Sequence, residues 1–388
     1  MEMGVKAIII SGWAVDDAAA KTFSDTFYDN MLQGERFGRA VQAARMACFD
    51  NHRNTNTWGA YQCYGSQYYQ FKDNSTTNKK DYEYVVASQV YTDLDNLFVS
   101  IRYKKRTRER TMNKLEAIIE RAEQAKLIDS NILEKEALIY DEMGMIDTAL
   151  YKFEELFGAT DGDFSIKALE RFCIIKSYNP DREHMEADME KIRNLILIGK
   201  NPSRLNIVGN AYKLASQHLP KKDKIDYLER AWGYDYDALV ASSDQHDGDC
   251  LDAFSNVVLT GHLLEKLGAN TLLHRLKKIP ELEALENVTD FLNAKSKELE
   301  DCDETEQDIS ILIGMAEVDT CLLLLTNGEL NAVKEKVILR YKNIFRMFHS
   351  PKYLLMEDKQ IDFLLAMNFG KAQKEALVEI QEALKKLL

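Results

Sequence analysis

Residues 5–17 read Val-Lys-Ala-Ile-Ile-Ile-Ser-Gly-Trp-Ala-Val-Asp-Asp, and the fold of the N-terminal region turns on them. Val5, Ala7 and Ile8 to Ile10 make a near-continuous apolar run of strand length, the pattern of a strand covered on both faces. Such a strand needs hydrogen-bonded neighbours on each side. Asp16 and Asp17 then open a helix, where a carboxylate caps free backbone N–H groups and complements the helix dipole. Trp13 is expected to plug the core beside this turn.

Working outward, Asp17 to Gln33 places Ala20, Phe23, Phe27 and Met31 at helical spacings of three and four on one face. Gly34 ends that helix, because glycine tolerates the left-handed turn that follows one. A second helix lines up Phe37, Val41, Ala44 and Cys48. From Trp58 to Tyr64 alternate residues predict a second strand, at most the one partner nearby for the first.

These features resemble the last third of a CHAT domain, the caspase-like cysteine peptidase family related to separase. The family carries an apolar strand, a Trp-x-Val-x-Asp turn, a helix with Phe-Tyr and a Leu-x-Gly end, and a helix rich in Ala and Arg. Here these are Val5–Ile10, Trp13 to Asp17, Phe27-Tyr28 with Leu32-Gln33-Gly34, and Ala40 to Arg45. The resemblance implies a bacterial cysteine endopeptidase, with some relatives in defence systems. It also implies a catalytic His in a His-Gly context and a nucleophilic Cys upstream of this point. The sequence has no His-Gly dipeptide; Gly261-His262 is reversed. The chain is therefore expected to be a C-terminal fragment without catalytic residues, inactive as a peptidase, with Met1 an internal methionine of a longer gene. Clan relatives place an acidic residue of this turn in the specificity pocket, against a basic substrate side chain. By position that residue is Asp17, with Asp16 second; capping is the competing role for both. Cys48 with His52 four residues on reads as a core cysteine beside a loop histidine, since a nucleophilic thiolate needs a neighbouring base or positive surroundings.

The remaining sequence is mainly α. Residues 1–72 form the CHAT-like segment, 73–81 a polar Asn/Ser/Thr-rich linker, and 82–388 helix after helix with short breaks. The five prolines fall between helical patterns. Ile132 to Phe157 resembles a tetratricopeptide helix pair: Leu133, Ala137, Tyr140, Gly144, Ile146, Ala149 and Phe153 match its large, small, aromatic and turn positions. Glu136 departs from the expected Leu. Later pairs match no consensus closely, so the expectation is a degenerate tetratricopeptide-like α-solenoid.

Composition excludes several classes. No apolar run has the length of a membrane span. Six cysteines without CxxC spacing argue against a disulfide framework or zinc site and for a reducing cytoplasm. Net charge is −13, and all of the excess lies beyond residue 72. An acidic array disfavours nucleic acid. Arg102 to Arg110 holds six basic residues in nine, expected to be the solvated end of one helix and start of the next. Asp244 to Cys250 gathers acidic residues, His246 and Cys250 without calcium-loop or zinc spacing. His184, His218, His274 and His349 read as surface or packing residues. No cofactor or metal is implied. Two functions remain: a peptidase fragment whose helical repeats sense a trigger, or a non-catalytic adaptor that binds a protein partner, such as a separate catalytic half, through the solenoid.

Overall fold

The computed structural model describes residues 7–70, 83–103, 107–159, 162–179, 183–242, 248–279, 282–299, 308–326, 328 and 330–388. The expected linker 73–81 lies outside them. The chain divides into two compact units, Met1–Glu83 and Tyr84–Leu388.

In the first unit, strand β1 (Ala7–Ser11) pairs antiparallel with β2 (Tyr61–Gly65), Ile9 opposite Cys63. Helices α1 (Asp17–Leu32), α2 (Phe37–Asn51) and the single turn α3 (Thr57–Ala60) lie between them in sequence. Ala19, Phe23, Phe27 and Met31 are buried against Phe37, Ala40, Val41, Ala44 and Cys48, so the inward stripe of α1 begins at Ala19 rather than at Ala20. Gly34 has φ +88, the left-handed value expected of it. The α2 N-terminus is closed by the returning chain, as Phe37 N–H donates to Tyr69 O and Gly38 N–H to Gln67 O.

Three expectations are corrected here. Among the described residues one face of the sheet is covered: Ala7, Ile9, Tyr61 and Cys63 pack on the helices, whereas Ile8 is 37% and Ile10 47% exposed. A run of isoleucines does not distinguish one covered face from two. The second strand starts at Tyr61, because Thr57 to Ala60 is pulled into a helical turn by the bond from Asp16 N–H to Thr57 Oγ1. Trp13 lies over Gly59, 46% exposed, not in the core.

The second unit is helical throughout its described residues. Its first part comprises α4 (Ala87–Tyr103), α5 (Arg108–Gln124), α6 (Ser130–Glu142), α7 (Ile146–Phe157), α8 (Ile166–Tyr178), α9 (Met185–Arg193) and α10 (Leu195–Ile198). Thr107, Asp129 and Ser165 cap α5, α6 and α8 through their side-chain oxygens. Next come α11 (Pro202–Ala215), α12 (Lys221–Ala241), α13 (Gly248–Lys266), α14 (Leu272–Leu276) and α15 (Val288–Glu298). The last are α16 (Ile309–Leu325), α17 (Leu330–Met347), α18 (Pro351–Ala366) and α19 (Lys371–Lys385). Pro202 and Pro351 stand in the first turn of their helices, where the missing N–H costs nothing.

The pair α6–α7 has the close approach that its small residues predict: Ala137, Ala149 and Phe153 are fully buried. Gly144 turns between them at φ +69, and a Cβ there would collide with Leu355 of α18. Glu136, which replaces the expected Leu, is buried and pairs with Lys152 at 3.2 Å. An ideal solenoid repeat touches only its neighbours. This unit departs from that rule, because α18 packs against α6.

Candidate functional site

The turn of the first unit is fixed from both sides. Gly12 N–H donates to Ala60 O at 2.8 Å, extending the ladder past Ser11. Asp16 donates its own N–H to Thr57 Oγ1 and accepts Ala19 N–H on its carboxylate, both at 3.0 Å. Its side chain is thus the α1 cap. Asp17 follows in the first helical turn, exposed to solvent. Both residues are exposed; they differ in that the Asp16 carboxylate is engaged by a backbone N–H, whereas Asp17 stands in the first helical turn.

The cysteines of this unit lack the surroundings of a nucleophile. Cys48 is fully buried, its thiol directed at Ala19 O at 3.6 Å. Burial, reinforced by the Asp16 charge, pushes that thiol up. His52 turns instead to Thr22, 2.8 Å from Nε2 to Oγ1. Cys63 sits in β2 facing the helices; burial raises its thiol by more than Arg45 lowers it. The strand-turn-helix unit thus presents a carboxylate and an uncovered apolar sheet face, but no activated thiol.

Other sequence candidates resolve differently. Arg102 is not solvated: it forks onto the Glu142 carboxylate at 3.0 and 3.3 Å. Arg108 and Arg110 are exposed at the start of α5, and 104–106 lie outside the described residues. Asp244 to Asp247 also lie outside them; Cys250 is buried. His274 is exposed, and His349 packs on the Phe345 ring. Among the described residues no group of three or more His, Cys, Asp and Glu stands where it would hold a metal ion. No helix among them is long and apolar enough to cross a membrane.

Several ionic clusters escaped the sequence reading, of which two matter here. In the first, Asp141 and Glu142 are fully buried at the end of α6. Arg171 forks onto Asp141 at 2.5 and 2.8 Å, and Lys352 reaches Glu142 at 2.7 Å and Asp141 at 3.6 Å. In the second, Asp235, Asp252, Glu317 and Glu357 lie close enough to feel one another's charge, and Lys213 is the cation that acts on all four. Lys213 itself is bonded to Asn256. The usable signal for this cluster was Glu317 inside the otherwise apolar ISILIGMAEVDTCLLLL of α16; Asp319 in the same stretch belongs to a separate group, paired with Arg340 at 2.6 Å and Lys336 at 3.4 Å.

Residues 1–66 match the family model of the CHAT domain. The matched range covers β1, the Asp16–Asp17 turn, α1, α2, α3 and β2. No curated protein and no solved structure matches the chain. The protein is thus a mainly helical chain whose residues 1–66 are similar to part of the CHAT-domain family.

Proposed function

We propose that residues 1–66 are the C-terminal portion of a CHAT cysteine-peptidase domain, and that the unit Tyr84–Leu388 is its protein-binding, trigger-sensing helical region. The observation that carries this is the coincidence of the family match with a sheet whose outer face shows Ile8 and Ile10 to solvent. An apolar face of that kind calls for a further layer. On this reading the catalytic His and Cys belong to segments other than 1–66, and Asp17 is the carboxylate that pairs with a basic substrate side chain. The helical region supplies the partner surface, of tetratricopeptide type in α6–α7 at least. A bacterial cytoplasm suits the free thiols of Cys48, Cys63, Cys173, Cys250 and Cys321.

The coding DNA immediately upstream of the Met1 codon tests the reading. An in-frame His-Gly strand end and a Cys-bearing turn are expected, in that gene or an adjacent one. Their absence from both would leave a helical adaptor and overturn the peptidase assignment. Where they are present, Asp17→Asn in the joined protein should lower kcat/KM for peptides with Arg or Lys at the cleaved position and spare those with a neutral residue.

A further inference from the structure

Helix α18 holds together parts of the unit that are remote in sequence. At its start, Lys352 meets Asp141 and Glu142 of α6, and Ser350 Oγ donates to Glu142 O. Along its length, Lys359 Nζ donates to Asn179 Oδ1 at 3.0 Å, just after α8. On the adjoining face, Glu357 and Gln360 enter a cavity of about 20 Å³ shared with Ser255 and Asn256 of α13 and Glu317 of α16. Tyr341 of α17 donates its hydroxyl to Glu357 Oε2 at 2.7 Å.

The charges around Glu357 do not balance. Asp252 on α13 and Glu317 on α16 are carboxyls, as is Asp235 on α12, which acts on Glu317. Tyr178 of α8 and Tyr341 of α17 face the same carboxyls and bring no positive charge. Lys213 of α11 is one cation against four acids. A space that admits about one water cannot well solvate both carboxylates that line it, Glu317 and Glu357, so their ionisation is resisted. Burial is the largest cause for each; it lifts Glu357 to about 7 and Glu317 and Asp235 well above their ordinary values.

We propose that α18 is a pH-sensitive strap, seated across α6, α8, α16 and α17 in mildly acidic conditions and loosened as pH rises. A carboxyl that keeps its proton when docked and loses it when released makes docking weaker with pH from the ordinary glutamate value of about 4.5 up to its docked value. The proposal does not depend on the peptidase reading.

Hydrogen exchange of the intact chain between pH 5 and 7 tests it, each amide corrected for its intrinsic rate. Opening of 351–366 should rise about tenfold per pH unit for each proton released. Helix α5 should not follow. Glu357→Gln should remove most of that slope, and Glu317→Gln should reduce it. A flat wild-type profile overturns the proposal, whether or not either variant folds. So does an unchanged slope in a folded Glu357→Gln variant, or an equal rise across every helix of the unit, which would be opening of the whole unit rather than of the strap.

Discussion

Lys352 Nζ lies 2.7 Å from Glu142 Oε2, tying the first turn of α18 to the last turn of α6. Burial alone would raise Glu142, but Lys352 and Arg102 outweigh it and hold the carboxyl at about 2. Its ordinary value is 4.5. A depressed carboxyl contributes stability that is present above the ordinary value and lost as pH falls towards the depressed one. Between about pH 4.5 and 2 the unit should therefore lose stability progressively.

Replacing Lys352 by Met should cost about 3 kcal/mol at neutral pH, because a buried carboxylate loses one of its two cations. Urea unfolding of wild type and variant measures this. The acid-side loss should also be smaller in the variant. A cost below about 1 kcal/mol would mean that Arg102 alone neutralises Glu142.

Gly144→Ala should destabilise the unit by about 1–3 kcal/mol from backbone conformation alone. The collision with Leu355 adds to that figure. Thermal unfolding of the single variant, then of Gly144→Ala with Leu355→Ala, separates the two contributions: the second change should recover only the steric part.

The helical stripe of α2 could be read from periodicity, and that of α1 nearly so. Phe23, Phe27 and Met31 are inward as their spacing requires, and the error of one residue at Ala19 lies where a small side chain carries little signal. The side of the sheet left bare could not be read, because Ile8, Ile9 and Ile10 are chemically identical while only Ile9 faces the helices. Nor could the turn at Thr57, which is set by a bond to Asp16, 41 residues away. That a helix opens at Asp16–Asp17 was legible, and of the two carboxylates weighed as caps Asp16 is the one that accepts a backbone N–H. The acids around Glu357 were not read as a group, since each stands on a different helix, although Glu317 within the apolar stretch of α16 was a signal for one of them.

Thiol chemistry gives a direct check on the first unit. Cys48 should resist alkylation by iodoacetamide in the native protein, and no peptide hydrolysis should depend on Cys48 or Cys63. Cys173 and Cys321, lifted to about 12 by burial, should be equally slow. Rapid labelling of Cys48 at neutral pH in folded protein would contradict its placement against Ala19.

Asp16→Ala should cost about 1 kcal/mol through loss of the cap. Asp17→Asn should cost less than half of that, since it weakens only the interaction with the helix dipole. Circular dichroism melts of the two variants rank them. Equal losses would show that Asp17 also serves the helix.

The reach of Lys352 back to Glu142 also sets an order of events at the ribosome. Helices α4 to α8 leave the exit tunnel long before α18 is synthesised. Until then Asp141 and Glu142 wait for their lysine, and the hollow beside Gly144 stands open. Closure joins residues such as Ser350 and Glu142, 208 positions apart, and contacts of such long separation form slowly. A chain halted before residue 350 would display that unfilled seat, a mark by which a protease or chaperone can tell an unfinished copy from a finished one.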